Sequence, residues 1–404
     1  MLIKLDKSLE QTLSDINKSF NEDSLEVKAL NNLAIAFRNG WHIIIGPLHV
    51  LRFIRDLEYI DNSTKSVFDR LINEYTFQKS YMDLVDEYIL VKGLNGYPNK
   101  IENEESDYYE TPLNYFSDLN KCLHTSLLCE DASDYDFYIK LGKKYIKENR
   151  EISGIDLAFN FANGGGINSY RVLEMGIINM GNPVLAIADS DKKYPCSSNG
   201  QTLKQLLKIE NQYKNKSILR VYPLPVREKE NLIPPSLYLI GCEHTYKSQL
   251  EKLLLIEKEY SEKLLYFNIK DGYKVKHFKD ERFYEYYRNV FTEVEDLIAC
   301  SIDDLDVKKD ENEVVVNGLN SIVEQFTYSF LDNGIEERLQ KKRGLQNPTP
   351  QVLNIIKELE ETLELKGDLF NNLPEYIRDI IIELCQKMLS WGCSKGMTYG
   401  TLGA

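Results

Sequence analysis

The chain has 404 residues, of which 43% are hydrophobic, so it can form two or three globular domains with a sizeable core. Its formal net charge of −14 argues against a protein that coats nucleic acid through its overall charge, because phosphate binding relies on lysine and arginine. A local basic channel or a metal-dependent site on an acidic body is compatible with this charge.

The cysteines and the N-terminus bear on the cellular compartment. Seven cysteines are scattered from Cys122 to Cys393 without a CxxC pair, and no histidine stands at zinc-finger spacing. We therefore expect reduced thiols, with neither a disulfide framework nor structural zinc. The N-terminus lacks the apolar core of a signal peptide, and the apolar stretch 41–54 is too short to span a bilayer. These features predict a cytoplasmic protein with no membrane partner.

Residues 1–115 are predicted to form a mainly helical N-terminal region. Apolar residues recur at a spacing of three and four in residues 24–45 and 63–94, which is typical of amphipathic helices. Gly46-Pro47 interrupts this periodicity between the two segments. The polar, acidic segment 96–112 contains two prolines and indicates a boundary to the next region.

Residues 116–280 are predicted to form an α/β domain. Segments that favour strands are found at 122–130, 155–166, 183–191 and 217–225, and helical segments lie between them at 134–151, 168–181 and 202–215. Strands that alternate with helices of this length indicate βαβ units and a parallel, Rossmann-like sheet. The continuous apolar run VLAIA (184–188) fits a strand that is covered on both faces.

Residues 281–404 are predicted to form a mainly helical C-terminal region. Helical patterns cover residues 352–366 and 374–392. The segment 303–313 is highly charged and is expected to be an exposed loop.

Acidic residues stand at the carboxyl ends of two predicted strands. Glu130 ends the first strand, and Asp189 ends the third, with Asp191 two residues later. Ligands of open parallel sheets bind beyond these ends, and Asp134, on the first turn of the next helix, can face the same space. Oxygen ligands without thiolates suit Mg²⁺ or Mn²⁺, which would neutralise carboxylates that otherwise repel each other. We expect Glu130, Asp189 and Asp191 to hold one such ion.

Two further segments extend this candidate site. The fourth strand runs into Glu228 and Glu230, which together with Asp134 are candidates for a second ion. The turn Gly164–Gly166 lets another group approach the backbone closely. Residues 168–169 then open a helix whose N-terminal N–H groups can meet a phosphate.

The order of these motifs resembles a Toprim domain, the module of topoisomerases, primases and OLD-family nucleases. The resemblance rests on Glu130 with an acid four residues later, the glycine turn, and Asp189-Ser190-Asp191. The stretch REKEN (227–231) and the stretch YFNIKDG (266–272) are similar to motifs of OLD-like Toprim proteins of antiphage defence. The likeness covers roughly residues 120–275.

Two positions depart from the Toprim pattern. Asp131 follows Glu130 where the family usually has glycine, and it would either crowd the turn or add a ligand. Lys192 and Lys193 follow Asp191, so the third acidic position is absent. The number of metal ions therefore stays open at the level of sequence.

The resemblance implies a divalent-metal-dependent nuclease that cleaves phosphodiester bonds of DNA, tRNA or other RNA. Glu130, Asp189 and Asp191 would carry the catalysis, and Lys270 would be the cation beside the transition state. The resemblance further implies a toxic effector of bacterial antiphage defence. The chain has no P-loop, so a partner ATPase or sensor protein would supply energy or the trigger. A homo-oligomer is left open.

Several alternatives are compatible with the same residues. The acids from Glu130 to Asp136 also suit a helix N-terminus, where they complement the helix dipole. Residues 227–230 could form a surface ion network, and Lys270 alone is more typical of a hairpin lysine. At the level of function, the alternatives are a primase- or topoisomerase-like enzyme, and a non-catalytic regulatory or scaffold subunit with a degenerate Toprim domain. None of the five histidines has ligand spacing, so no chemistry is assigned to them.

Overall fold

The computed structural model describes residues 1–395 except for 17–22, 77–79, 105, 153, 242–246, 295–296, 299–309, 319–330 and 332–333. The strands are β1 (Leu2–Leu5), β2 (Ile43–Ile45), β3 (Glu87–Lys92), β4 (Asn99–Ile101), β5 (Asp107–Pro112), β6 (Ser126–Cys129), β7 (Asp156–Leu157), β8 (Asn160–Asn163), β9 (Val184–Ala188), β10 (Leu219–Pro223), β11 (Gly272–Lys274), β12 (Val314–Asn317) and β13 (Cys393–Ser394).

The α-helices are Ser8–Ile16, Leu25–Arg38, Leu48–Arg55, Asn62–Asn73, Ala132–Glu148, Ser169–Asn179, Gln201–Tyr213, Pro235–Gly241, Lys247–Leu264, Val275–Phe278, Glu281–Glu293, Gly334–Arg343, Pro350–Gly367, Leu369–Asn372 and Glu375–Gly392. No helix among the described residues is both long enough and apolar enough to cross a bilayer.

The chain forms two compact units, and each combines segments that are distant in sequence. The first unit contains Met1–Ala188, Lys204–Tyr222 and Glu383–Ala404, and the second contains Asp189–Leu203 and Pro223–Ile382. The predicted division into residues 1–115, 116–280 and 281–404 follows the chain order and stays a prediction about independently folding domains.

The N-terminal part of the first unit contains a five-stranded sheet in the order β2-β1-β3-β5-β4. β1 is parallel to β2 and to β3, β3 is parallel to β5, and β4 is antiparallel to β5. Among its described residues, the region 1–115, predicted to be mainly helical, therefore contains a five-stranded sheet in addition to four α-helices. The helical periodicity of segments 24–45 and 63–94 does not reveal β2 and β3, because periodicity cannot distinguish a short buried strand from a buried helical turn.

The second sheet of the first unit has four strands in the order β10-β9-β6-β8. β6 is parallel to both β8 and β9, and Leu127 lies opposite Leu185 in the β6–β9 register. All five residues of β9 are buried, as the continuous apolar run predicts. The predicted alternation of strands and helices in an α/β fold with a mainly parallel sheet is confirmed.

A buried ion network also stabilises the first unit. Glu87, at the start of β3, is 1% exposed and accepts a hydrogen bond of 3.0 Å from Lys387 Nζ. Trp391 donates a further hydrogen bond from its indole N–H to the same carboxylate. A buried carboxylate requires such partners, so this network fixes the C-terminal helix on the N-terminal sheet.

The second unit is mainly helical and contains an antiparallel ribbon of β11 and β12. Tyr273 of β11 is 1% exposed, and its ring contacts those of Phe267, Phe283, Tyr287 and Phe291. This aromatic cluster provides apolar burial for the segment that contains Lys270. The charged loop expected at residues 303–313 lies mostly outside the described residues.

Candidate active site

In the first unit, the end of β6 is joined to the glycine turn by backbone hydrogen bonds. The N–H of Gly164 donates to the carbonyl of Cys129 at 2.8 Å, and that of Gly165 donates to the carbonyl of Glu130 at 3.0 Å. A Cβ atom placed on Gly166 would lie 3.4 Å from Oε1 of Glu130. The predicted carboxylate and the predicted glycine turn therefore lie side by side.

The glycine turn has no room for a side chain at Gly164. A Cβ atom there would lie 2.3 Å from Oγ of Ser169 and 2.7 Å from the carbonyl oxygen of Cys129. The hydroxyl of Ser169 donates to the carbonyl of Gly166 at 2.5 Å, which closes the turn against the start of the following helix. The prediction that glycine permits a close approach is confirmed here, and the group that approaches is Ser169.

The acids after Glu130 form the start of the helix Ala132–Glu148. Oδ1 of Asp131 accepts hydrogen bonds from the N–H groups of Ser133 and Asp134, at 2.6 and 3.1 Å. Oδ2 of Asp134 in turn accepts from the N–H of Asp131 at 3.2 Å, which completes a capping box. Asp131 and Asp134 thus have the helix-start role that the sequence left open, and Asp136 forms an ion pair with Lys140 at 2.7 Å.

In the second unit, the loop after β9 is held by its own backbone and side chains. Asp191 has a φ of +53°, in the left-handed region that aspartate tolerates better than most residues. Its N–H donates to the carbonyl of Arg227 at 3.0 Å, and Ser190 Oγ donates to the carbonyl of Val226 at 2.6 Å. A Cβ on Gly200 would lie 1.9 Å from Oδ2 of Asp191, so only glycine fits beside this carboxylate.

The segment after β10 provides two ion pairs of the second unit. Nε of Arg227 lies 2.7 Å from Oε1 of Glu228, and both side chains are largely buried. Nζ of Lys270 lies 3.9 Å from Oε1 of Glu230. The amide of Asn231 donates two hydrogen bonds of 2.7 Å to backbone carbonyls of the segment 264–267, which fixes the short 3₁₀ helix Lys229–Leu232.

These charged groups influence one another's protonation. Desolvation raises the pKa of Asp191, and the charge of Arg227 opposes this shift. Burial likewise raises the pKa of Glu228; Arg227 lowers it, whereas the charges of Glu230 and Asp191 raise it further. Burial lowers the pKa of Lys270, but the charges of Glu230 and Glu228 outweigh burial and raise it. The raised pKa values of Asp191 and Glu228 mean that their charged forms are disfavoured in this environment. A bound cation would stabilise the charged forms, so cation binding is favoured here.

His277 joins this charged cluster, although its spacing in the sequence gave no reason to expect it. Burial, together with the charges of Lys193, Lys276 and Arg227, lowers its pKa to about 4. Its Nδ1 accepts a hydrogen bond of 2.9 Å from the N–H of Lys274, which requires an unprotonated nitrogen. The sequence indicates a place for His277 near the site only through its position, five residues after the YFNIKDG motif.

The predicted site residues fall into two groups. The structure brings Asp191, Glu228, Glu230 and Lys270 into one electrostatically linked cluster of the second unit. Glu130 and Asp134 belong to the first unit. Asp189 directly follows β9 and is the first residue of the second unit. Within the ranges that the structure describes, no group of three or more His, Cys, Asp and Glu side chains is arranged so that it could hold a metal ion.

Comparison with known proteins adds no family. No protein-family model, no curated protein and no solved structure matches the chain.

Proposed function

We propose that the protein is a divalent-metal-dependent nuclease with a Toprim-like core. One observation carries the proposal: β6 and β9 are neighbouring parallel strands, and the residues that follow them are Glu130 and Asp189. The carboxyl ends of parallel neighbours lie at the same edge of a sheet, which is where α/β proteins bind their ligands. The Toprim identity rests on the motif order in the sequence.

The donor set fits magnesium or manganese, because every candidate ligand is a carboxylate oxygen. Glu130 and Asp189, which directly follow the paired strands β6 and β9, would hold the ion. The assignment of Asp191 as a third ligand, and of Asp134, Glu228 and Glu230 to a second ion, stays a prediction from the sequence. A bound ion of this kind supplies an activated water and stabilises charge on the phosphoryl oxygens.

The side chains of this chain have separate tasks in the proposed reaction. Asp191 has a left-handed backbone, and the absence of a side chain at Gly200 leaves room for its carboxylate. Lys270, kept protonated by Glu230 and Glu228, would stabilise negative charge on the substrate. Arg227 balances the charge of Glu228 while the substrate is absent.

A second candidate, a non-catalytic subunit with a degenerate Toprim domain, is favoured by two contacts. Asp134 accepts a hydrogen bond in the capping box, and Glu228 is paired with Arg227. In this case, these carboxylates stabilise the fold and hold no metal. The biological role proposed for the enzyme, a toxic effector of antiphage defence with a partner ATPase or sensor, rests on the resemblance alone.

The test is incubation of the purified protein with Mn²⁺ or Mg²⁺ and separate pools of DNA, tRNA and other RNA. We expect cleavage of at least one pool, its loss in the presence of EDTA, and a decrease of at least about a hundredfold in Asp189→Asn and Glu130→Gln. Asp136→Asn is the matched control, because its carboxylate pairs with Lys140 on the exposed face of the nearby helix. If the purified protein is inactive without its partner, the readout is growth arrest when the protein is expressed in cells. This arrest should be lost in Asp189→Asn. The absence of both cleavage and growth arrest would favour the scaffold.

A further inference from the structure

A cavity of about 560 Å³ opens on one face of the N-terminal sheet of the first unit. It lies at the carboxyl ends of β1 and β2, where Lys4, Ile45 and Pro47 line it. Leu51 and Ile45 are buried wall residues, and Tyr75 and Met82 provide further apolar surface. This volume is within the range of roughly 300–1,000 Å³ that holds small organic ligands.

Lys4 is an unusual residue for its place in the sheet. β1 lies between β2 and β3, and the partners of Lys4 in register are Ile45 and Leu90, both buried. No carboxylate of the described residues forms an ion pair with Lys4, and Nζ lies 5.7 Å from the ring centre of Tyr88. Thr76, Ser80 and Asp83 also line the cavity, and Asp83 does not form an ion pair with Lys4. A partly buried ammonium group is costly unless it finds an anion or water.

We propose that this cavity binds a small organic anion, with its carboxylate or phosphate on Lys4 and its apolar or aromatic body against Tyr75, Met82 and Pro47. Lys4 supplies the charge that fixes the head group, and the apolar walls supply the contact area for the body. The described residues that line the cavity all belong to the first unit, and none of them is a proposed metal ligand.

The test uses calorimetric titration of the full-length protein in EDTA with four probes. 1-Naphthoate and 1-naphthyl phosphate carry both the anion and the body, whereas 1-naphthol lacks the anion and inorganic phosphate lacks the body. We expect one of the two naphthyl anions to bind with one-to-one stoichiometry, and both incomplete probes to bind at least about tenfold more weakly. The tighter of the two anions identifies the head group.

Three variants locate the binding. Lys4→Met should weaken the bound naphthyl anion at least about tenfold, and Lys4→Arg should stay within about threefold of the wild type. Met82→Trp should fill the cavity and abolish binding, and unchanged circular dichroism will show that it folds. Equal affinity for 1-naphthol and the anions, or unchanged affinity in Lys4→Met, would overturn the proposal, as would no binding of either anion. Glu130→Gln should bind the naphthyl anion as tightly as the wild type does. The outcome of this titration therefore does not depend on whether the nuclease proposal is correct.

Discussion

The backbone N–H of Asp191 donates a hydrogen bond of 3.0 Å to the carbonyl oxygen of Arg227. This bond, together with that from Ser190 Oγ to Val226, joins the loop after β9 to the segment after β10. The position of the Asp191 carboxylate therefore depends on a neighbouring segment as well as on its own loop. Substitutions on either side of the bond should affect the same site.

Asp191→Asn should stabilise the protein near neutral pH. Because desolvation raises the pKa of Asp191 in the folded state, the folded state binds the proton more tightly than the unfolded chain, and ionisation destabilises the fold. Removal of the charge should raise the free energy of unfolding at pH 7, with a smaller gain at pH 4.5, where the wild-type carboxyl is partly protonated. Urea denaturation at the two pH values measures this.

Asp191→Ala is the matched control for the backbone at this position. Asparagine tolerates a φ of +53° as well as aspartate does, whereas alanine does not, and the strain costs about 1 kcal/mol. We expect Asp191→Ala to be less stable than Asp191→Asn at every pH. Equal stability of the two variants would contradict a strained left-handed loop.

Arg227→Met should destabilise the second unit by about 3–5 kcal/mol, because it leaves the largely buried carboxylate of Glu228 without its partner. Arg343→Met is the control: Arg343 pairs with Glu360 on the surface, and its loss should cost about 0.5 kcal/mol or less. Urea denaturation followed by circular dichroism compares them. Similar costs for both variants would show that the Arg227–Glu228 pair is not buried in solution.

His277 should make the protein less stable in acid. Its folded-state pKa of about 4 lies below the ordinary value of about 6.5, so between these pH values the unfolded chain binds more protons. The free energy of unfolding should therefore fall as the pH falls from about 6.5 towards about 4. His277→Gln should reduce this slope, because its amide oxygen can accept the hydrogen bond of Lys274 without a proton.

The control for the acid effect is His49→Gln, since His49 is exposed. If the free energy of unfolding of His277→Gln depends on pH as steeply as that of the wild type, His277 does not cause the loss of stability in acid.

Gly164→Ala should destabilise the first unit by about 1–3 kcal/mol, because the new methyl group would overlap Ser169 Oγ and the carbonyl oxygen of Cys129. Gly176→Ala is the matched control in the helix Ser169–Asn179, where a Cβ has open space around it. That change should stabilise by about 0.5–1 kcal/mol. Thermal unfolding of both variants measures the difference, and a neutral Gly164→Ala would refute the close approach.

The sequence was informative where patterns were long or continuous. The run VLAIA predicted the buried strand β9, and the periodicity of residues 352–366 and 374–392 predicted the helices Pro350–Gly367 and Glu375–Gly392. Periodicity does not reveal the N-terminal sheet, because β2 has only three residues and β3 lies within the segment 63–94, whose periodicity is helical. Strands this short acquire their identity from their neighbours in the sheet, which periodicity along the chain does not reveal.

The sequence predicts which residues belong to the candidate site, but it does not predict how their side chains are arranged. The positions of Glu130 and Asp189 at strand ends follow from the local pattern, and the structure has both directly after paired strands. The capping role of Asp134 and the pairing of Arg227 with Glu228 depend on side-chain geometry. The place of His277 in the charged cluster depends on the charges of Lys193 and Arg227, which are distant in sequence.

Calorimetric titration of the protein with Mn²⁺ tests the central claim most directly. We expect saturable binding in the wild type, its loss in both Asp189→Asn and Glu130→Gln, and unchanged binding in Asp136→Asn. Binding that survives both substitutions, or no binding in the folded wild-type protein, would contradict a metal site at the ends of β6 and β9.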